Sequence, residues 1–135
     1  MAPRILLIED EPQHILLVKI RLEIRGYEVE AAQTGTAGLD AAARLKPDLV
    51  LLDLVLPDMD PGDLIRNLRA MPASRRTPII AFTGLDAFEL HRGRLGAEIA
   101  EFVPKPYETS ELLAKIAALI GEPARGEGRG AAGGL

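Results

Sequence analysis

Five side chains spread along the chain have the makings of a phosphoryl-transfer site: Glu9, Asp10, Asp53, Thr83 and Lys105. Each follows an apolar run. Ile5-Leu6-Leu7-Ile8 precedes the acidic pair, Leu49-Val50-Leu51-Leu52 precedes Asp53, Ile79-Ile80-Ala81-Phe82 precedes Thr83, and Phe102-Val103-Pro104 precedes Lys105. Clustered carboxylates completed by water are the donor set that Mg2+ takes, while a hydroxyl and an ammonium opposite them suit the oxygens of a phosphoryl group. With a carboxylate at the centre, the natural reaction is attack on phosphorus to give an aspartyl phosphate. Asp53 has a plainer alternative. A carboxylate closing a fully apolar strand is costly to bury, so it either caps the next turn or supplies chemistry at the strand end. Glu9-Asp10-Glu11 could likewise be a solvated charge cluster.

The elements that must position these residues can be read in order. Short Leu/Val/Ile runs closed by Pro, Gly and Asp predict strands buried on both faces at 4–8 and 49–53, the habit of parallel sheets. Alternation predicts a strand over 27–31, and two further apolar runs predict strands over 78–82 and 101–104. Pro104 removes a ladder donor, which places the fifth strand at a sheet edge. Helical spacing is expected over 13–25, stopped by Gly26. It is also expected over 37–45, from the Asp60 cap with Pro61 to about Met71, over 86–95, and, capped by Thr109 or Ser110, from there to Ile120. The first helix carries two apolar stripes: Ile15, Val18 and Leu22 on one side, and Leu16, Leu17, Ile20 and Ile24 nearly opposite. One must face the sheet, and the other either packs on a neighbouring helix or meets a partner. Strands alternating with helices five times imply an α/β fold, a doubly wound parallel sheet with helices on both faces and ligands at the strands' carboxyl ends.

Bulk properties narrow the function. A chain of 135 residues, 47% apolar, has room for one full core. It has no cysteine and two histidines far apart in sequence, which argues against disulfides and structural metal sites. A net charge of −4 argues against a nucleic-acid surface, and the basic residues Arg66, Arg69, Arg75 and Arg76 read as solvated surface. No span long enough for a bilayer and no leader is evident, so the expected location is cytoplasmic without membrane association. Residues 122–135, rich in glycine and alanine, are expected to be a disordered tail after a domain spanning 1–121.

Taken together, Glu9-Asp10, Asp53 with Leu56-Pro57 and Asp60 behind it, Thr83-Gly84 and Lys105-Pro106-Tyr107 resemble the signature of the receiver domain of bacterial two-component response regulators, over residues 4 to 121. The resemblance is to the stand-alone, chemotaxis-regulator type. It implies flavodoxin-like strand order 2-1-3-4-5, with Asp53 as phosphoacceptor and Glu9, Asp10, Asp53 and the Val55 backbone carbonyl as Mg2+ ligands. Lys105 and Thr83 would bind the phosphoryl group, Thr83 and Phe102 would form the switch, and the Lys105–Pro106 bond would be cis. It also implies a sensor histidine kinase or histidine phosphotransferase as donor, a downstream protein target, and a monomer or phosphorylation-dependent dimer. Such a domain is not an enzyme on other substrates. It catalyses only its own phosphorylation and dephosphorylation. Three positions depart from the pattern: Pro61 where glycine is usual, Phe102 where tyrosine is also common, and Gly96-Ala97 placed early relative to Lys105. A haloacid-dehalogenase-like phosphatase would need a carboxylate two residues after the nucleophile, where Val55 stands. A third reading is an interaction module that works without phosphorylation.

Overall fold

The computed structural model describes residues 2–84 and 88–123; for 88–91 only the helical backbone is described. The element order is β1 (Arg4–Ile8), α1 (Pro12–Ile24), β2 (Glu28–Ala32), α2 (Gly35–Leu45), β3 (Leu49–Asp53), α3 (Pro61–Ala70), β4 (Ile79–Gly84), α4 (Phe88–Leu95), β5 (Glu101–Lys105) and α5 (Thr109–Ile120). All strand pairs are parallel, in the order β2-β1-β3-β4-β5. β5 is an edge strand, as Pro104 requires. The expected tail beyond 123 and the expected start of α4 at Asp86 lie outside the described residues.

Alternation along β1 and β3 divides the core in two. Leu6, Ile8, Val50 and Leu52 pack with Ala41 and Ala42 of α2 and with Leu64, Ile65 and Leu68 of α3, on the face that also takes Leu95 and Phe102. On the other face Ile5, Leu7, Leu49, Leu51 and Phe82 pack with Val18 and Leu22 of α1 and Leu112 and Ile116 of α5. The alanine-rich face of α2 allows close approach to β1: a Cβ on Gly38 would stand 2.6 Å from Ile8 Cδ1.

Local signals explain most boundaries. α1 ends in a Schellman arrangement, with Gly26 at φ 99°, its N–H donating to Glu23 O and the Tyr27 N–H to Leu22 O. Thr34 caps α2 through the Ala37 N–H, and Asp60 caps α3 through the Gly62 N–H with Pro61 in the first turn. The last helix departs from expectation. Its cap position is Glu108, which makes no side-chain capping bond, and Thr109 and Ser110 are its first helical residues.

One further expectation changes, and one that was open is decided. Arg69 is not merely solvated: it donates to the carbonyls of Ser74, Arg75, Thr77 and Glu98, holding the α3–β4 connection against the turn before β5. The second stripe of α1 is not covered by α5. Leu16, Leu17, Ile20 and Ile24 are between 43% and 72% exposed, so the Ile15, Val18 and Leu22 side faces the sheet.

Candidate functional site at the carboxyl end of the sheet

Parallel pairing brings the strand ends to one rim. Asp53 is level with Phe82, and Gly84 with Lys105, across β3, β4 and β5. Glu9 prolongs β1 by donating its N–H to Ala32 O, and the Leu54 N–H donates to Phe82 O just past Asp53. Glu9 and Asp53 are almost fully buried, at 0% and 7% exposure, as is Thr83, whereas Asp10 is exposed and Lys105 half-buried. One carboxylate oxygen from each of Glu9, Asp10 and Asp53 lies within 4.8 Å of the others. Lys105 Nζ stands 3.1 Å from Asp53 Oδ2 and 3.7 Å from Glu9 Oε1. The Lys105–Pro106 peptide is cis.

Asp53 also accepts from the Val55 N–H at 2.9 Å through Oδ1. The cap and the chemical readings are therefore compatible, since one oxygen anchors the turn while the other faces the lysine. The Val55 side chain is 72% exposed beside it. Thr83 Oγ1 donates to Gly84 O at 3.4 Å. Phe102 is buried against the α2–α3 face.

The electrostatics follow from burial of like charges. Burial would raise Glu9, but hydrogen bonds from His14, Asp53 and the Glu11 N–H, with the charge of Lys105, hold it well below the usual carboxylate range. Burial pushes Asp53 up, and the Glu9 carboxyl adds to this against the Val55 N–H and Lys105. Three carboxyl groups thus face one lysine, a surplus of negative charge that a hard divalent cation neutralises. The donor set fits Mg2+.

Two residues that sequence reasoning passed over support this rim. His14, in the first turn of α1, bridges Glu9 Oε1 and the Tyr107 hydroxyl, each at 2.6 Å. Tyr107 stacks on Phe82 with ring centroids 5.3 Å apart. Burial and the nearby Glu9 push its phenol up to about 12. Asp58 accepts from the Gly35 and Thr36 N–H groups and the Thr36 hydroxyl, tying the loop after Asp53 to the start of α2. A histidine three residues into a helix that follows an acidic strand end is a signal that could have been used, because the first turn faces the same rim.

Comparison with known proteins places this geometry. The model of the response regulator receiver domain matches residues 5–117. This chain belongs to that family. Among curated proteins it is 35% identical over 118 residues to the DNA-binding dual master transcriptional regulator RpaA of Synechocystis, covering 87% of this chain and 49% of that protein. The chain spans about half the length of the first curated relatives it matches. Among solved structures, the receiver domain of the Pseudomonas aeruginosa sensor histidine kinase PA1611, with a magnesium ion in its active site cleft, aligns with TM-score 0.81 at 32% identity. That match covers 90% of this chain and all of the other. A CheY-like receiver domain from Methanospirillum hungatei aligns with TM-score 0.77 at 31% identity, over 87% of this chain and 93% of that one. The chain is therefore a receiver domain of a two-component system, with the five-stranded fold of that family. Among the described residues no helix is long and apolar enough to cross a membrane.

Proposed function

We propose that this receiver domain is switched by transfer of a phosphoryl group to Asp53. The observation that carries the reading is the pairing of a buried Asp53 with Lys105 Nζ at 3.1 Å inside an acidic cluster. Mg2+ held by Glu9, Asp10, Asp53 and the Val55 carbonyl would neutralise charge on the phosphoryl oxygens. An Asp53 carboxylate oxygen attacks phosphorus, the bond from phosphorus to the donor's imidazole nitrogen breaks, and that nitrogen leaves with the electron pair and takes up a proton from water. Lys105 and the Thr83 hydroxyl receive the phosphoryl oxygens. The domain catalyses only this self-modification and its reversal by water. Acetyl phosphate with Mg2+ should add one acid-stable, hydroxylamine-labile phosphoryl group to the wild type and none to Asp53→Asn; equal labelling of the variant rejects the assignment.

The new charge would be read by Thr83 and Phe102 and passed to the face formed by α4, β5 and α5, where a protein target binds. The donor, a sensor histidine kinase or histidine phosphotransferase, would dock on α1. Leu16, Leu17, Ile20 and Ile24 form an exposed apolar stripe beside the site, edged by Lys19, which pairs with Glu23 at 3.1 Å. Burying each large side chain there is worth roughly 1.5 to 3 kcal/mol. Leu17→Ser or Ile20→Ser should slow transfer from the cognate kinase and leave acetyl phosphate labelling intact; slowing of both alike would reject docking. Mg2+ dependence, a cytoplasmic location, action without direct nucleic-acid contact by this domain, and a monomer or phosphorylation-dependent dimer complete the reading.

A further inference from the structure

The Glu9–His14–Tyr107 chain has a chemistry of its own. An ionised Glu9 only accepts hydrogen bonds, so the His14 nitrogen facing it, Nδ1, carries the hydrogen. In the neutral ring Nε2 is then an acceptor, and the Tyr107 O–H donates to it. The ring is also fixed by packing: its centroid lies 4.9 Å from that of Phe82, edge to face, and 5.7 Å from that of Tyr107. The second oxygen of Glu9 accepts from the Glu11 N–H at 3.1 Å. Both oxygens of Glu9 are therefore held by donors from the start of α1, and one of those donors is braced by a residue 93 positions away.

We propose that His14, braced by Tyr107, is a positioning residue for divalent-cation binding: it sets the Glu9 carboxylate and ties it to the 105–107 segment that carries Lys105. The proposal rests on the reading of Glu9, Asp10 and Asp53 as Mg2+ ligands. Partners that orient a metal ligand typically change affinity by about 10- to 100-fold when removed. Glu9 has a long, flexible side chain, and a free carboxylate would have to lose that freedom on each binding event.

The test is a Mg2+ titration of the full chain, followed by backbone amide NMR shifts, on four proteins. His14→Phe keeps a ring against Phe82 and Tyr107 but removes both nitrogens. His14→Asn puts an N–H donor where Nδ1 stands. Tyr107→Phe keeps the stack and removes the brace. The dissociation constant should rise about tenfold in His14→Phe, stay within about threefold of wild type in His14→Asn, and fall between these in Tyr107→Phe. The Mg2+ concentration for half-maximal acetyl phosphate labelling should move with the dissociation constant, while the rate at saturating Mg2+ stays within about twofold. Wild-type affinity in His14→Phe would overturn the proposal. So would equal losses in the Phe and Asn variants, because packing rather than the hydrogen bond would then be responsible. If the wild type itself shows no Mg2+ titration, the metal site fails, and this inference fails with it.

Discussion

At the amino end of the sheet Arg4 serves two carboxylates in the open: its N–H donates to Asp48 at 2.8 Å, and its guanidinium lies 3.9 Å from Glu28. The Asp48 N–H answers by donating to Arg4 O at 2.8 Å. At the carboxyl end of the same strands Glu9 and Asp53 are buried, Asp10 stands beside them, and a single lysine is shared between the two buried acids. One end keeps an ion pair and a carboxylate bound by a backbone N–H near water, where such contacts are worth little and cost little. The other holds like charges together out of water, which lowers stability unless a cation or a ligand relieves it. A fold selected for stability alone has no use for the second arrangement. The difference supports the function proposed for the carboxyl rim more than any one residue type does.

The sharpest way to break this contrast is Asp10→Asn. It should abolish both the rise in melting temperature on adding Mg2+ and phosphorylation by acetyl phosphate, measured by differential scanning fluorimetry and intact mass. A retained Mg2+ response would mean that Asp10 takes no part in holding the ion beside the buried Glu9 and Asp53. Next comes Asp53→Asn. With the repulsion from Glu9 removed, the metal-free variant should be more stable than wild type by about 1 kcal/mol in urea unfolding. A loss of stability would mean that Lys105 and the Val55 N–H already balance the buried acid.

The pH dependence sharpens the same contrast. Asp53 is raised in the folded state, so its contribution to metal-free stability is lost as pH climbs from its usual value of 3.8 through the folded one. Glu9 is lowered, so its contribution is lost as pH falls below its usual value of 4.5. Metal-free stability from this pair should therefore fall on both sides of about pH 4. The Mg2+-induced rise in melting temperature should grow as pH climbs above the usual carboxylate range, because binding requires the deprotonated acid. A pH-independent Mg2+ shift would contradict the raised Asp53. The smallest effect belongs to the amino end, where Asp48→Asn should change stability by less than about 1 kcal/mol and leave Mg2+ binding untouched.

Much of this was legible in the chain. Apolar runs ending in Glu9, Asp53, Thr83 and Lys105 specify parallel strands, and parallel strands deliver their ends to one rim, so convergence follows from period and order alone. Pro104 marked the edge strand for a stated reason, its missing N–H. The two stripes of α1 were visible, but periodicity cannot say which faces the sheet; that depends on Val18 and Leu22 fitting beside Leu112 and Ile116. His14 and Asp58 were hidden for a different reason. Each acts through partners distant in sequence, Tyr107 in one case and Gly35 with Thr36 in the other, and no local pattern announces such a contact. The bare N-cap of α5 shows the reverse error: Thr109 and Ser110 have capping chemistry, yet the chain enters the helix one residue earlier, at Glu108.

Whether the buried acid at the end of β3 is the one that reacts is tested by locating the phosphoryl group. Borohydride reduction of the acetyl phosphate-treated protein converts an aspartyl phosphate to homoserine, which peptide mass spectrometry places in the sequence. Homoserine is expected at position 53, dependent on Mg2+ and absent without acetyl phosphate. Homoserine at another aspartate, or none in protein that has gained the mass of a phosphoryl group, would contradict the assignment to Asp53.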